Sequence, residues 1–87
     1  MLFELVAEFI GTFFFLYVVL AVGTPLAIGA ALALAIYVGG SISGGNFNPA
    51  ITIMMIAAKK QRIETALPYI VAQVAGGLAA LALYKTI

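Results

Sequence analysis

The sequence contains no cysteine and no histidine, and it has little charge of either sign. Without cysteine the chain has no disulfide framework and no thiolate chemistry. Without histidine, and with three acidic residues in 87, almost nothing is left for metal binding or acid–base catalysis. We therefore expect no enzymatic activity, no metal and no cofactor. The net charge of +1 also gives no indication of a nucleic-acid partner.

Apolar residues take the place of the missing charges. The chain is 66% hydrophobic and 8% charged, whereas about a quarter of the residues in a soluble domain are charged. This composition indicates an integral membrane protein, which we expect to place one small helical domain, residues 1–87, in the lipid bilayer. The N-terminus carries Glu4 and Glu8 in place of the basic region of a signal peptide, so the first helix is expected to be an uncleaved span.

Three apolar runs approach the length of about 20 residues that crosses roughly 30 Å of hydrocarbon. They cover residues 2–22, 26–42 and 66–84. A shorter apolar stretch, residues 51–58, cannot span and is predicted to be a half-helix, with Asn48 near its N-cap and Pro49 at its first position. The predicted fold class is all-α, with three transmembrane helices and one re-entrant half-helix.

The connection before the half-helix is polar and rich in glycine. Residues 43–52 have the sequence SGGNFNPAIT. Such a segment cannot face hydrocarbon, because its backbone N–H and C=O groups would lack hydrogen-bond partners. Irregular backbone at membrane depth survives where it is buried in protein or lines a water-filled cavity. The sequence therefore predicts a re-entrant loop at a pore or binding site.

Basic residues are distributed unevenly between the two predicted sides of the membrane. Lys59, Lys60 and Arg62 lie together on one side, and Lys85 lies on the other. The positive-inside rule then places the three-residue cluster and the N-terminus in the cytoplasm, with the C-terminus outside. An anionic-lipid site at the same cluster is the alternative interpretation.

Small residues occur at spacings that favour close helix packing. Gly40 and Gly44 form a GxxxG pair, and Ala72, Gly76 and Ala80 form a ridge of small residues on the third span. Such ridges let helix backbones approach each other in lipid, where the hydrophobic effect gives no help. The alternative is that glycine and alanine are simply frequent in membrane helices.

Four sequence blocks together resemble one known family. Residues 43–52, with Asn-Pro-Ala at 48–50, resemble the first-half loop of the aquaporins and glycerol facilitators, the major intrinsic proteins. The segments AEFIGT, AIYVGGSISG and YIVAQVAGG, at residues 7–12, 35–44 and 69–77, resemble the first three helices of that family. The resemblance implies half of an aquaporin-like fold, because only the first of the family's two inverted repeats is present. It also implies a passive channel for water and small uncharged solutes such as glycerol.

The resemblance assigns roles to the residues of the loop. The side-chain amide of Asn48 would donate to a passing water molecule, while Pro49 and Ala50 would set the turn and let two half-helix caps pack closely. A plain N-cap is the alternative for Asn48. Gly44 and Gly45 would let the backbone turn and expose carbonyl groups to the pore, with simple loop flexibility as their alternative.

Further roles fall outside the Asn-Pro-Ala motif. Asn46 occupies a position where the family often has histidine, so a histidine gate is absent. Glu8 would accept hydrogen bonds from loop N–H groups, with a carboxylate that reaches the membrane interface as the alternative. Gln73 would bond to the loop as a structural support, with an interhelical hydrogen bond elsewhere as the alternative. Ile28 falls where the family's second helix supplies an aromatic residue to the selectivity filter, which predicts a wider and more apolar filter here. The alternative is an isoleucine that faces lipid or the protein core. Ile51 follows the motif, so this chain does not supply the filter arginine.

A complete pore of this kind needs a second half-channel, either another copy of the chain or a complementary chain. The uneven basic residues argue against an antiparallel pair of copies, because most copies would insert in one orientation. The conflict does not arise if the second half is a complementary chain. It does not arise either if this chain is truncated from a longer channel. The competing hypothesis is a non-conducting assembly partner or a remnant of a channel, for which substitution of Asn48 would leave flux unchanged.

Overall fold

The computed structural model describes all residues from Met1 to Ile87. It contains four α-helices and one 3-10 turn, and no β-strand. The helices are α1 (Leu2–Ala21), α2 (Pro25–Ser43), α3 (Pro49–Ala57) and α4 (Ala66–Thr86), and the 3-10 turn Ile63–Thr65 leads into α4. Three of the helices are long and apolar enough to cross a membrane, whereas α3 has nine residues. The predicted all-α fold class with three spans and a half-helix is confirmed.

Helix α1 lies between the other two long helices and packs against both of them. Glu8 near the start of α1 contacts Ser43 at the end of α2, so these two helices are antiparallel. Glu8 also contacts Gln73, and Thr12 lies against Gly76, so α4 runs parallel to α1. Consequently α2 ends, and α1 and α4 begin, at the same end of the molecule.

The short helix α3 is re-entrant. After α2 the chain turns inward to Asn48, and α3 then returns beside α4 toward the end at which it entered. Proline at the first position of α3 and asparagine at its N-cap explain why the helix begins there. Residues 58–62 connect α3 to the 3-10 turn that opens α4, so the half-helix enters and leaves on one side.

The small-residue ridge of α4 forms the close contact with α1. A Cβ atom added to Gly76 would lie 2.6 Å from the backbone oxygen of Phe9, and Ala80 is fully buried. The predicted Gly40–Gly44 packing pair is wrong, because Gly44 is exposed and ends α2 in a left-handed conformation at φ +92°. Its role is therefore to begin the loop.

The interior of the molecule is polar and its surface is apolar. The largest fully buried side chains are those of Gln73, Glu8, Thr12 and Thr52. Large apolar side chains cover the outside of every long helix. This arrangement reverses that of a soluble protein and suits a hydrocarbon solvent, in which polar groups must find their partners inside the protein.

Candidate functional site

The polar loop between α2 and α3 begins with two glycine residues in the left-handed backbone conformation. Gly44 has φ +92° and Gly45 has φ +68°, conformations that glycine adopts without a steric penalty. Phe47 also has a positive φ, of +53°, which is uncommon for a residue with a side chain. These residues reverse the chain within a few positions and carry it to Asn48.

The carboxylate of Glu8 holds this loop in place. The side chain is fully buried, and its Oε1 accepts hydrogen bonds from the Phe47 N–H at 2.8 Å and from Gln73 Nε2 at 2.7 Å. Its Oε2 accepts from Ser43 Oγ at 2.6 Å and from the Asn46 N–H at 3.2 Å. Four donors therefore surround the two oxygens, which is how a buried charge without a cation is stabilised.

The amide of Gln73 and the hydroxyl of Thr52 extend this network from α4 to α3. Gln73 Nε2 donates to Thr52 Oγ1 at 2.8 Å as well as to Glu8. Thr52 Oγ1 also accepts from Asn46 Nδ2 at 3.0 Å. The loop, the half-helix and two long helices are thus connected through buried side chains, so the position of the loop is determined by tertiary contacts.

Three further residues, which the sequence did not single out, complete the outer part of the network. Gln61 accepts from Asn46 Nδ2 at 2.8 Å and donates to Thr65 Oγ1 at 2.8 Å. Tyr69 donates from its hydroxyl to the backbone oxygen of Ser43 at 2.8 Å. Each of these polar residues lies near the end of an apolar helix, where a polar side chain is expected at the membrane surface. Their positions in the sequence therefore gave no sign of a role in the loop.

Phe47 is another contributor that the sequence pattern did not indicate. Its ring lies in the crossing of α1 and α2, where a Cβ added to Gly11 would collide with it and one added to Gly39 would lie 3.1 Å from Cζ. The signal available in the sequence was a glycine in each of two apolar helices. Together with Glu8, this ring fixes the middle of the loop.

Asn48, Pro49 and Ala50 form the inner end of the half-helix. Asn48 is the N-cap of α3, and its Oδ1 accepts a hydrogen bond from the Ala50 N–H at 2.8 Å. The Nδ2 of Asn48 makes no hydrogen bond within the protein, and the residue is exposed. A free amide donor therefore lies at the positive end of the α3 dipole.

The carbonyl groups that precede Asn48 are also unpaired. Residues 44–47 supply four consecutive backbone oxygens, none of which accepts a hydrogen bond within the protein. In an apolar environment each unpaired carbonyl costs several kcal/mol, so such a row requires a polar partner. The loop thus has four acceptors without partners immediately before the donor of Asn48 in the chain.

Asn48 and Pro49 also close one end of a groove between α1 and α4, with a volume of about 510 Å³. We name it the α1–α4 groove. Two of its lining residues, Thr12 and Gln73, are 1% exposed and each has a buried oxygen, Oγ1 and Oε1 respectively, without a hydrogen-bond partner. The groove is therefore apolar along most of its length, with polar groups at its inner end.

Ile28 lies apart from the loop and its network. It is half-buried near the start of α2, and Ser43 follows fifteen residues later, about 22 Å along a helix axis. The structure brings Glu8, Gln73, Asn46 and the Asn-Pro-Ala segment together, but Ile28 is not among them. Its role in a filter remains a prediction.

Comparisons with known proteins agree with this arrangement. The chain matches the family model described as major intrinsic protein over residues 1–87. It is 44% identical over 89 residues to glycerol uptake facilitator protein-like 6 of Lactiplantibacillus plantarum, covering 92% of this chain and 41% of that protein. It is 43% identical over 100 residues to aquaporin Z of Photorhabdus laumondii, covering 97% and 43%. No solved structure gave a significant match.

The chain is also 36% identical to aquaporin Z of Brucella melitensis, covering 100% of this chain and 45% of that protein. The chain therefore spans less than half the length of each of these three relatives. The family model nevertheless covers every residue from 1 to 87. Three apolar helices, a half-helix that begins at an Asn-Pro-Ala segment and this full-length match lead to one assignment. The chain belongs to the major intrinsic protein family of membrane channels.

Proposed function

We propose that this chain is one half of a passive channel for water and small uncharged solutes such as glycerol. The observation that carries the proposal is the row of unpaired carbonyl oxygens on residues 44–47. Lipid cannot donate hydrogen bonds to these oxygens, whereas water and hydroxylated solutes can. The loop would then line the pore, with its backbone replacing part of the hydration of a permeating molecule.

Asn48 would act as the donor at the end of this row. Its Oδ1 is held by the Ala50 N–H, which directs Nδ2 away from α3. The amide and the positive end of the helix dipole would orient the oxygen of a passing water molecule, and they would oppose cations and protons. Ile28 would contribute to a wide, apolar filter, and permeation would need neither a cofactor nor an energy source.

The pore requires a second half, which we propose to seat against the α1–α4 groove. Asn48 is exposed at the end of this groove, and its Nδ2 makes no hydrogen bond within the protein. A second half-helix would bring its own cap against Pro49 and Ala50. The half-channel unit would then comprise residues 1–87, joined by a complementary chain or by the remainder of a longer channel.

The orientation follows from the basic residues. Residues 59–62, which we name the basic turn, precede α4, and Lys85 lies about 28 Å further along that helix. We place the basic turn and the N-terminus in the cytoplasm. An antiparallel second copy would reverse this bias, so a complementary half is the preferred partner.

Osmotic shrinkage of proteoliposomes, measured by stopped-flow light scattering, tests the proposal. The chain is reconstituted alone and with the second half of a related aquaporin, as wild type and as Asn48→Asp and Asn48→Ala. We expect fast shrinkage with the second half present, with a rate that both substitutions change. Ile53→Ala is the matched control, because Ile53 lies on the exposed surface of the same half-helix.

Each outcome has a distinct meaning. Fast shrinkage by the chain alone, sensitive to Asn48, would show that copies of this chain assemble a pore. Fast shrinkage only with the second half would support the half-channel. Background rates in both preparations, with correctly inserted protein, would overturn the proposal and indicate a non-conducting assembly partner.

A further inference from the structure

The basic turn combines three cations with very little internal neutralisation. Lys59, Lys60 and Arg62 are exposed, and the single ion pair of the turn joins Arg62 Nε to Glu64 Oε2 at 3.6 Å. Both partners of that pair are largely exposed, so it contributes little to holding the arginine. The ammonium groups of Lys59 and Lys60 form no salt bridge within the protein.

These cations are not needed to cap α3. The backbone N–H groups of residues 58–60 already bind the carbonyl oxygens at the end of the helix, with Lys59 N donating to Ile56 O at 3.0 Å and Lys60 N to Met55 O at 2.9 Å. The usual structural role of lysine at a helix C-terminus is therefore taken by the backbone. The side chains remain available for a ligand.

Lys59 occupies a backbone conformation that suits glycine. Its φ is +61°, and this left-handed position after a helix is usually occupied by glycine or asparagine. A lysine there costs conformational energy, and observed strain of this kind is a reason to look for a function of the side chain. The neighbouring Gln61 is bound to Asn46 and Thr65, so the turn has a fixed shape.

The cations surround a cavity that also has an apolar side. The cavity has a volume of about 460 Å³ and is lined by Ile56, Lys59, Lys60, Gln61, Arg62 and Ile63. Ile63 and Leu67 continue this surface along α4 and are 71% and 70% exposed. Since the turn joins the half-helix to a candidate membrane span, we expect its cations at the depth of lipid headgroups and the two apolar side chains beside the acyl chains.

We propose that the basic turn binds the phosphate of an anionic phospholipid, with an acyl chain of that lipid lying along Ile63 and Leu67. Lys59 and Lys60 act as point charges toward the phosphate, and Arg62 supplies directed N–H donors. The exposed isoleucine and leucine distinguish a lipid from free phosphate, which would leave them uncovered. The site depends on the membrane location of the chain and not on whether it conducts.

Native mass spectrometry of the detergent-solubilised chain tests the site with phosphatidylglycerol and phosphatidylcholine at equal concentrations. We expect preferential binding of phosphatidylglycerol. Lys60→Gln should weaken that binding about five-fold, as expected for one lysine near an anionic headgroup. Lys85→Gln also removes one charge but lies at the opposite end of α4, and it should leave the binding unchanged.

Lys59→Asn separates the proposed role from a structural one. Asparagine tolerates the left-handed conformation, so this variant should melt at the same or a higher temperature than the wild type. It should nevertheless lose about five-fold in phosphatidylglycerol binding. Loss of binding with retained thermal stability supports the site, whereas unchanged binding overturns it.

Two further measurements keep the proposal open to refutation if a variant fails to fold. On the wild-type chain, the preference for phosphatidylglycerol should fall as ionic strength rises, because the cations are exposed. Inorganic phosphate at the same concentration as the lipid should not displace it. Equal binding of both lipids, no salt dependence, or displacement by inorganic phosphate alone would each overturn the lipid assignment.

Discussion

Helix α1 separates two grooves of similar size and different chemistry. The groove between α1 and α2 has a volume of about 430 Å³, and ten of its twelve lining residues are hydrophobic. The α1–α4 groove, of about 510 Å³, ends at Asn48 and includes Thr12 and Gln73. A hydrocarbon chain or an apolar helix satisfies the first groove completely. The second ends at the exposed Asn48, whose Nδ2 has no partner within the protein, so it needs a partner with hydrogen-bonding groups at that end.

This difference arises from two faces of a single helix. Glu8 and Thr12, four residues apart, face α4 and the loop, whereas Gly11 faces the Phe47 ring beside α2. The polar face supplies the hydrogen bonds that hold the loop. The apolar face provides close packing. Substitutions on each face should therefore have effects of different size and kind.

The largest effect is expected from Glu8→Leu. The substitution leaves two loop N–H groups and the side chains of Ser43 and Gln73 without their acceptor, at a cost of about 3–5 kcal/mol. We expect little folded protein, measured by size-exclusion chromatography and thermal unfolding in detergent. Glu4→Leu is the control, because the Glu4 side chain is 40% exposed and pairs with the N-terminal amine, and it should melt like the wild type. Equal melting of the two variants would contradict the role of Glu8.

A smaller effect is expected from Gly76→Ala at the contact between α1 and α4. The new Cβ would lie 2.6 Å from the backbone oxygen of Phe9 and 3.1 Å from the backbone nitrogen of Phe13, so the helices must separate. We expect a loss of about 1–3 kcal/mol in unfolding free energy. Gly29→Ala is the matched control, since nothing lies within 4 Å of its added Cβ, and it should not lower stability.

Gly11→Ala tests the packing on the other face of α1, against the Phe47 ring. Its added Cβ would collide with the Phe47 ring, a side chain that can move more readily than backbone. Gly11→Ala should therefore cost less than Gly76→Ala in the same unfolding assay. A larger loss at Gly11 would show that Phe47 is held as rigidly as the backbone.

The smallest effect on the isolated chain is expected from Thr12→Val. The substitution keeps the volume of the side chain and removes a buried hydroxyl that has no partner, so stability should change by less than about 1 kcal/mol. The measurement is the unfolding assay used for Gly76→Ala. Thr52→Val is the contrast, because the Thr52 hydroxyl accepts two hydrogen bonds and its loss should destabilise the chain by about 1–3 kcal/mol. A loss for Thr12→Val as large as that for Thr52→Val would contradict the absence of a hydrogen-bond partner for the Thr12 hydroxyl.

Local features of the sequence were sufficient to predict the helices. The spans at residues 2–22, 26–42 and 66–84 differ from the observed helices by at most two residues at each end. The start of α3 was predicted from Asn48 and Pro49, because N-cap and first-turn preferences depend on adjacent residues alone. The Gly40–Gly44 pair was misassigned, since spacing cannot show where a helix ends.

The sequence by itself determined that the chain lies in a membrane, where its helices begin and that a polar loop interrupts them, because hydropathy, length and capping are local properties. Only the tertiary structure decided which donors surround Glu8, that the Phe47 ring packs beside Gly11, and that the oxygens of residues 44–47 remain unpaired. Each of these results depends on groups far apart in the chain. A buried carboxylate must be satisfied in lipid, but the fold determines which groups satisfy it.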